Sequence, residues 1–271
     1  MNDYIALTYF DLMLAASFLL INGALSMGLK LGLERKLAIA AVRMTVQLVL
    51  VGLLLKSLFS ILSPWLTLLV AIAMGMFAGR EIWARQNRRL RGIWGFGLGT
   101  GAMSFAGASV TLIALVTMIG SEPWWTPRFA LPMFGMILGN AMTGISLAQD
   151  SLHTSVVREC TAIEAKILLG ADRWQALFPV VRQALRSGFI PTINGMAATG
   201  IVFLPGMMTG QILSGVDPNE AVKYQLLITF LIAGATGLGV LLATFGSVWR
   251  LSDDRHRLRL DRLSKAKEDD G

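Results

Sequence analysis

Cysteine, histidine and charge are all scarce in this chain. Its one cysteine, Cys160, rules out an internal disulfide. Its two histidines, His153 and His256, have no Cys, Asp or Glu at metal-ligand spacing beside them, and His153 reads as a surface residue. No His-Glu-x-x-His, Gly-x-Ser-x-Gly or Cys-x-x-Cys occurs, so the common zinc-hydrolase, serine-hydrolase and thiol-redox centres are excluded. A Walker loop, Gly-x4-Gly-Lys-Ser/Thr, is also missing. This chain therefore cannot hydrolyse ATP by that route, and an ATPase that drives it must be a separate chain. Charged residues make up 15% of the chain, against about 25% in an average soluble domain. That is too little charge to cover a soluble surface.

Apolar residues are abundant instead, at 54%, and the 28 glycines suit helices packed closely in lipid. A span needs about 20 mainly apolar residues. Seven candidate runs lie near residues 5–28, 37–59, 65–79, 93–119, 129–148, 189–213 and 222–248. The fold class is thus all-α, a polytopic membrane protein of about seven transmembrane helices. Twenty of the 24 lysines and arginines fall in one set of connections: 30–36, 80–91, 158–186 and the tail from Arg250. Only Lys56, Arg128 and Lys223 fall in the other set, and Arg43 lies within the second run. Basic residues collect on the cytoplasmic side, which puts the N-terminus outside and the C-terminus in the cytoplasm. The net charge of +7 has this explanation, and no nucleic-acid partner is expected.

One connection is long. Within residues 149–188, Leu152, Val156, Cys160, Ile163 and Ile167 share one helix face, and Trp174, Leu177, Phe178, Val181 and Leu185 share another. The pattern predicts two amphipathic helices broken at Leu169-Gly170-Ala171. They would lie on the membrane surface or dock a cytoplasmic partner. The tail, 250–271, reads as solvated or partly helical, and 1–249 as the membrane domain.

The fifth and sixth runs carry the informative polar groups. Gly135 and Gly139 form a Gly-x3-Gly pair for close helix approach, with Gly144 one turn beyond. Asn140 and Thr143 follow, and an amide in mid-membrane must face protein or a water-filled path. In the sixth run Pro205 lacks an N–H and Gly206 follows at once, which predicts a kink or an unwound turn there. Met207, Met208, Thr209 and Gln211 stand beside that break. Interrupted helices recur at transport sites, so these residues are candidates for a substrate pathway. Packing alone is the competing reading. No set of metal ligands can be named.

Four blocks then carry a family likeness: residues 135–147 (GMILGNAMTGISL), 164–171 (EAKILLGA), 190–194 (IPTIN) and 204–213 (LPGMMTGQIL). In order and spacing they resemble the FetB (YbbM-like) family of ABC transporter permeases, related to plant aluminium-tolerance permeases. The resemblance implies a permease subunit in the cell inner membrane, a homodimer surrounded by lipid and paired with an ABC ATPase subunit that uses the ATP. It implies no bound cofactor and no enzyme activity of the chain itself. It also implies export of iron or a related metal ion, with metal homeostasis and oxidative-stress resistance as the setting. A sugar nucleotide is the alternative cargo. The rival classes are a secondary transporter and a non-transporting membrane scaffold. Glu164, Ala165 and Gly170 resemble the Glu-Ala-Ala-x3-Gly signature by which importer permeases contact their ATPase, with Lys166 at the second Ala. Arg173 and Trp174 complete the expected coupling segment.

Overall fold

The computed structural model describes residues 8–61, 63–120, 123–253 and 255–266. The predicted start of the first span at Ile5 and the last basic residue of the tail, Lys267, lie outside them. The described residues form nine α-helices and no extended sheet. Six of these helices are long and apolar enough to cross a membrane. The chain is an all-α polytopic membrane protein.

Two compact units divide between Leu62 and Ser63. The first holds α1 (Tyr9–Gly28) and α2 (Glu34–Ser60), which pack on each other. Thr8 opens α1 with a capping box: its hydroxyl accepts from Asp11 N–H, and the Asp11 carboxylate accepts from Thr8 N–H at 2.8 Å. Asp11 is thereby used in starting the helix. The α1–α2 turn is closed by Ser26, whose hydroxyl donates to Glu34 at 2.9 Å and accepts from Leu33 N–H at 3.0 Å.

The second unit holds α3 (Pro64–Arg85), α4 (Ile93–Ala114), α5 (Pro127–Arg158), α6 (Cys160–Leu168), α7 (Arg173–Ala198), α8 (Gly206–Leu213) and α9 (Pro218–Leu251). Proline at the first turn starts α3, α5 and α9, where its missing N–H costs nothing. Helix α5 is the centre, packed against α3, α4, α7 and α9. Its apolar side, including Phe134, Leu138 and Ile145, meets Ile82, Met103 and Val240. The tightest crossing joins α5, α7 and α9. A methyl group on Gly144 would sit 2.8 Å from the Gly188 carbonyl oxygen, and one on Gly188 would sit 2.9 Å from the Gly144 carbonyl oxygen and 2.9 Å from Val240.

Two sequence expectations are corrected here. The first concerns residues 149–188, which do not lie as a separate amphipathic pair on the membrane. At 32 residues, α5 is about 48 Å long, well beyond the about 30 Å of hydrocarbon. The first expected helix is the end of α5 plus α6, and the second is the first half of α7. Their apolar faces are buried in the chain itself: Leu152, Val156, Ile163, Leu177 and Val181 form one core with Leu251 and Leu263. The predicted break is present, with Gly170 at φ +96°.

The second correction concerns the run 189–213, which is not one kinked helix. Helix α7 stops at Ala198, seven residues before the predicted break at Pro205. Thr199 is extended and Gly200 takes φ +88°, so the chain turns out of the helix, and Pro205 then caps the short α8. The tail, expected to be solvated or partly helical, holds a short 3-10 turn at Leu260–Arg262 and is not a solvated extension. It folds back so that Arg262 C=O accepts from Arg91 N–H at 2.7 Å and Arg89 C=O accepts from Ser264 N–H at 2.8 Å. Leu263 is buried beneath that contact.

Candidate functional site

The second unit has a basic end, formed by the last turns of α3, α5 and α9, the starts of α4 and α7, and all of α6. The hairpin made by α5, α6 and α7 projects there. Its outer turn has the hydrogen bonds of a helix C-cap: Gly170 N–H donates to Ile167 C=O at 3.0 Å and Ala171 N–H to Lys166 C=O at 3.0 Å. Asp172 then caps α7, accepting from Trp174 N–H and Gln175 N–H, each at 2.8 Å. Two leucines crown this turn, Leu168 and Leu169, 87% and 88% exposed. Glu164, Ala165 and Lys166 are exposed beside them, while Ile163 anchors α6 to the core.

Arg173 and Trp174 are placed differently. The Arg173 guanidinium reaches Ser252 Oγ and Asp253 C=O, each at 3.5 Å, and the Trp174 ring packs 5.7 Å from Phe245. Both tie the base of the hairpin to α9 and the tail. The outer turn itself consists of Leu168, Leu169 and Gly170.

Beneath the hairpin lies a buried polar chain that sequence reading missed. Gln86 Nε2 donates to Gln149 Oε1 at 2.7 Å, and Gln149 Nε2 donates to Ser247 Oγ at 3.4 Å. His153, one turn along α5, is fully buried, not a surface residue, and its Nδ1 donates to Arg88 C=O at 3.0 Å. Asp150 accepts from Asn87 N–H at 2.6 Å. The end of α3 and helices α5 and α9 are locked at one level by these bonds. Their signal was the spacing Gln149–His153, which continues the buried side of α5 past the end of the apolar run. Gln149→Leu should cost about 1–3 kcal/mol, because it strands the Gln86 amide in the core. Thermal unfolding of the purified protein checks this, and an unchanged midpoint would remove the network's structural role.

The predicted pathway residues fall on two elements. Asn140 and Thr143 lie on the side of α5 that the rest of the unit leaves open, with Pro132, Gly139 and Leu147. Asn140 Nδ2 donates to Met136 C=O at 2.8 Å and Thr143 Oγ1 to Gly139 C=O at 3.3 Å. The amide keeps its oxygen for another partner. Gly139 has open space around its Cα, and Gly135 meets only the Met74 methyl, so neither gives close helix approach within the chain. Gly144 alone of the three does. On α8, Met207 packs against the apolar cluster of Met133, Ile137 and Leu231. Pro205, Met208 and Thr209 are half-buried and Gly206 is exposed. Thr209 Oγ1 donates to Pro205 C=O at 3.1 Å, while Gln211 Oε1 is buried without a hydrogen-bond partner among the described residues.

Residues 9–251 match the uncharacterised protein family UPF0014. The chain belongs to the UPF0014 family. A UPF0014 membrane protein of Synechocystis is 37% identical over 229 residues, 84% of this chain and 86% of the relative. The Escherichia coli protein named probable iron export permease protein FetB is 33% identical over 236 residues, 87% of this chain and 89% of the relative. The UPF0014 membrane protein STAR2 of Oryza sativa is 33% identical over 223 residues, covering 82% and 76%. No solved structure matches the chain. The UPF0014 match spans α1 to α9, so the projecting hairpin and the interrupted α7–α8 segment both belong to the family's shared region.

Proposed function

We propose that this UPF0014 chain is the permease subunit of an ATP-driven transporter. Two copies would pair with two copies of a separate ABC ATPase in the cell inner membrane and export iron or a related metal ion. The observation that carries the reading is the projecting turn of Leu168, Leu169 and Gly170. Two almost fully exposed leucines on a turn held rigidly to the bundle are what a soluble partner's groove would receive, and rigid attachment turns the partner's closure into movement of α5 and α7. The name of the Escherichia coli relative supports iron as the cargo. The charge asymmetry supports an orientation with the projecting turn in the cytoplasm.

The cargo path is the open side of α5 together with α8. Asn140 on a membrane-length helix is unfavourable against lipid, so a second copy or a water-filled path has to face it. Among the described residues no group of three His, Cys, Asp or Glu could hold a metal. A passing cation would therefore meet amide, hydroxyl and thioether groups: Asn140, Thr143, Gln211, Thr209 and Met208.

The test is reconstitution of the chain with its ATPase in vesicles, with ATP turnover and efflux measured against iron, other metals and sugar nucleotides. ATPase stimulation by iron alone supports the reading; stimulation by a sugar nucleotide moves the cargo to that class; no stimulation and no flux removes the transporter reading. Asn140→Leu and Gln211→Leu should each lower flux about tenfold, the scale of one lost polar contact, at unchanged membrane expression. Wild-type flux in both would remove the pathway assignment.

A further inference from the structure

Two arginines on α7 have no role in the hairpin or the path. Arg182 and Arg186 lie one turn apart, both exposed, and neither bonds to another described residue. Their level in the bundle can be read from the neighbouring helices. Ser187, next to Arg186, donates to Ser151 Oγ at 3.3 Å, and Ser151 follows Asp150. Asn87 N–H of the segment after α3 donates to that Asp150 at 2.6 Å. Asn87, Asp150 and Arg186 therefore share one level, where the apolar part of the second unit gives way to its basic end. Past that level, towards the apolar part, α7 continues on the same face with Phe189, Ile190 and Ile193. With Phe178, Leu185 and the aliphatic stems of the two arginines they line an open groove of about 520 Å³. Ile190 and Ile193 are 51% and 54% exposed.

We infer that this groove holds one anionic phospholipid, its phosphate between Arg182 and Arg186 and an acyl chain along Phe189, Ile190 and Ile193. An apolar groove with two exposed, unpartnered guanidiniums beside it, at the level where charge begins, offers a lipid's acyl chain and its phosphate one place each. Guanidiniums match phosphate oxygens with paired donors, and basic pockets bordering membrane helices attract anionic headgroups. A zwitterionic lipid would leave the pair's charge uncompensated. A second copy is a poor occupant, because a two-fold contact centred here would set the four guanidiniums against one another. The lipid site stands apart from the ATPase turn and does not depend on which cargo the chain carries.

The experiment uses the full chain in nanodiscs of POPC and POPG, released into mild detergent for native mass spectrometry. One POPG should stay bound per chain and POPC should not. Arg182→Gln with Arg186→Gln should lower retained POPG about thirtyfold, the loss expected for two basic groups at a headgroup, and Arg80→Gln on α3 should not. Equal retention of POPG by the double variant, or equal retention of POPC and POPG by the wild type, overturns the inference. A photo-crosslinker at Ile190, with both arginines intact, decides independently of how the double variant folds. Adducts to POPG support the site, and adducts to a second copy or to the ATPase overturn it.

Discussion

Gly170→Pro should abolish ATP-coupled transport while the chain still inserts and folds. Gly170 holds φ +96°, a backbone region that proline cannot enter because its ring fixes φ near −65°. Proline would also delete the N–H that donates to Ile167 C=O. The turn must then open, at a cost of about 3 kcal/mol or more. That cost falls outside the apolar core. Ile163 still anchors α6, and the core of Leu152, Val156, Leu177 and Val181 lies below the change. The outer surface loses its shape while the bundle keeps its packing. The measurement is flux and ATP turnover after reconstitution, beside a size-exclusion profile. Normal transport by a well-folded Gly170→Pro chain would sink the coupling role. The double change Leu168→Glu with Leu169→Glu separates shape from chemistry: it leaves the turn intact and should remove co-purification of the ATPase.

Much of this architecture was legible in the sequence, for a reason that applies to membranes. In lipid every backbone group must be satisfied inside the segment, so an apolar run of about 20 residues has few outcomes other than a helix. The run 93–119 accordingly appears as α4 and the π-helical turn that follows it, and 222–248 appears within α9. Gly170 was readable because a hydrophobic face stopped on one side of it and restarted on the other. Hydropathy failed where polar groups are buried. Gln149 and His153 ended the fifth run by composition, yet they continue its buried face, because hydrogen bonds to Gln86 and Arg88 satisfy them. The break in the sixth run was foreseen at Pro205, the residue with the obvious chemistry. The chain leaves the helix earlier, at Thr199-Gly200, because φ +88° is open to glycine and is not announced by any missing N–H. For the tail, leucines set among many charges outweighed composition: Leu251 and Leu263 are buried in the core, and Leu258 and Leu260 pack against it.

Glycine spacing shows the same limit, and it sets up the second large effect. Gly188→Leu should prevent the second unit from packing, with loss of monodisperse protein after extraction. A side chain there has nowhere to go. Its first carbon would lie 2.9 Å from each of three atoms: the Gly144 carbonyl oxygen, Ala148 Cβ and Val240 Cγ1. One is backbone and one is a methyl fixed to it, so they move only if α5 and α7 separate. Overpacking by a few methylenes costs about 1–3 kcal/mol in a well-packed core, and a stability of about 5–15 kcal/mol leaves little room for a change that also parts α7 from α9. Gly188→Ala should lower the thermal midpoint measurably, and Gly188→Leu should leave no folded protein to measure. Gly139→Leu is the matched control. The Gly-x3-Gly spacing marks Gly139 as a packing residue, but it faces open space, so the same change there should leave the unit folded. If Gly139→Leu proves as damaging to the isolated chain as Gly188→Leu, the α5–α7 crossing is not where this bundle is closed.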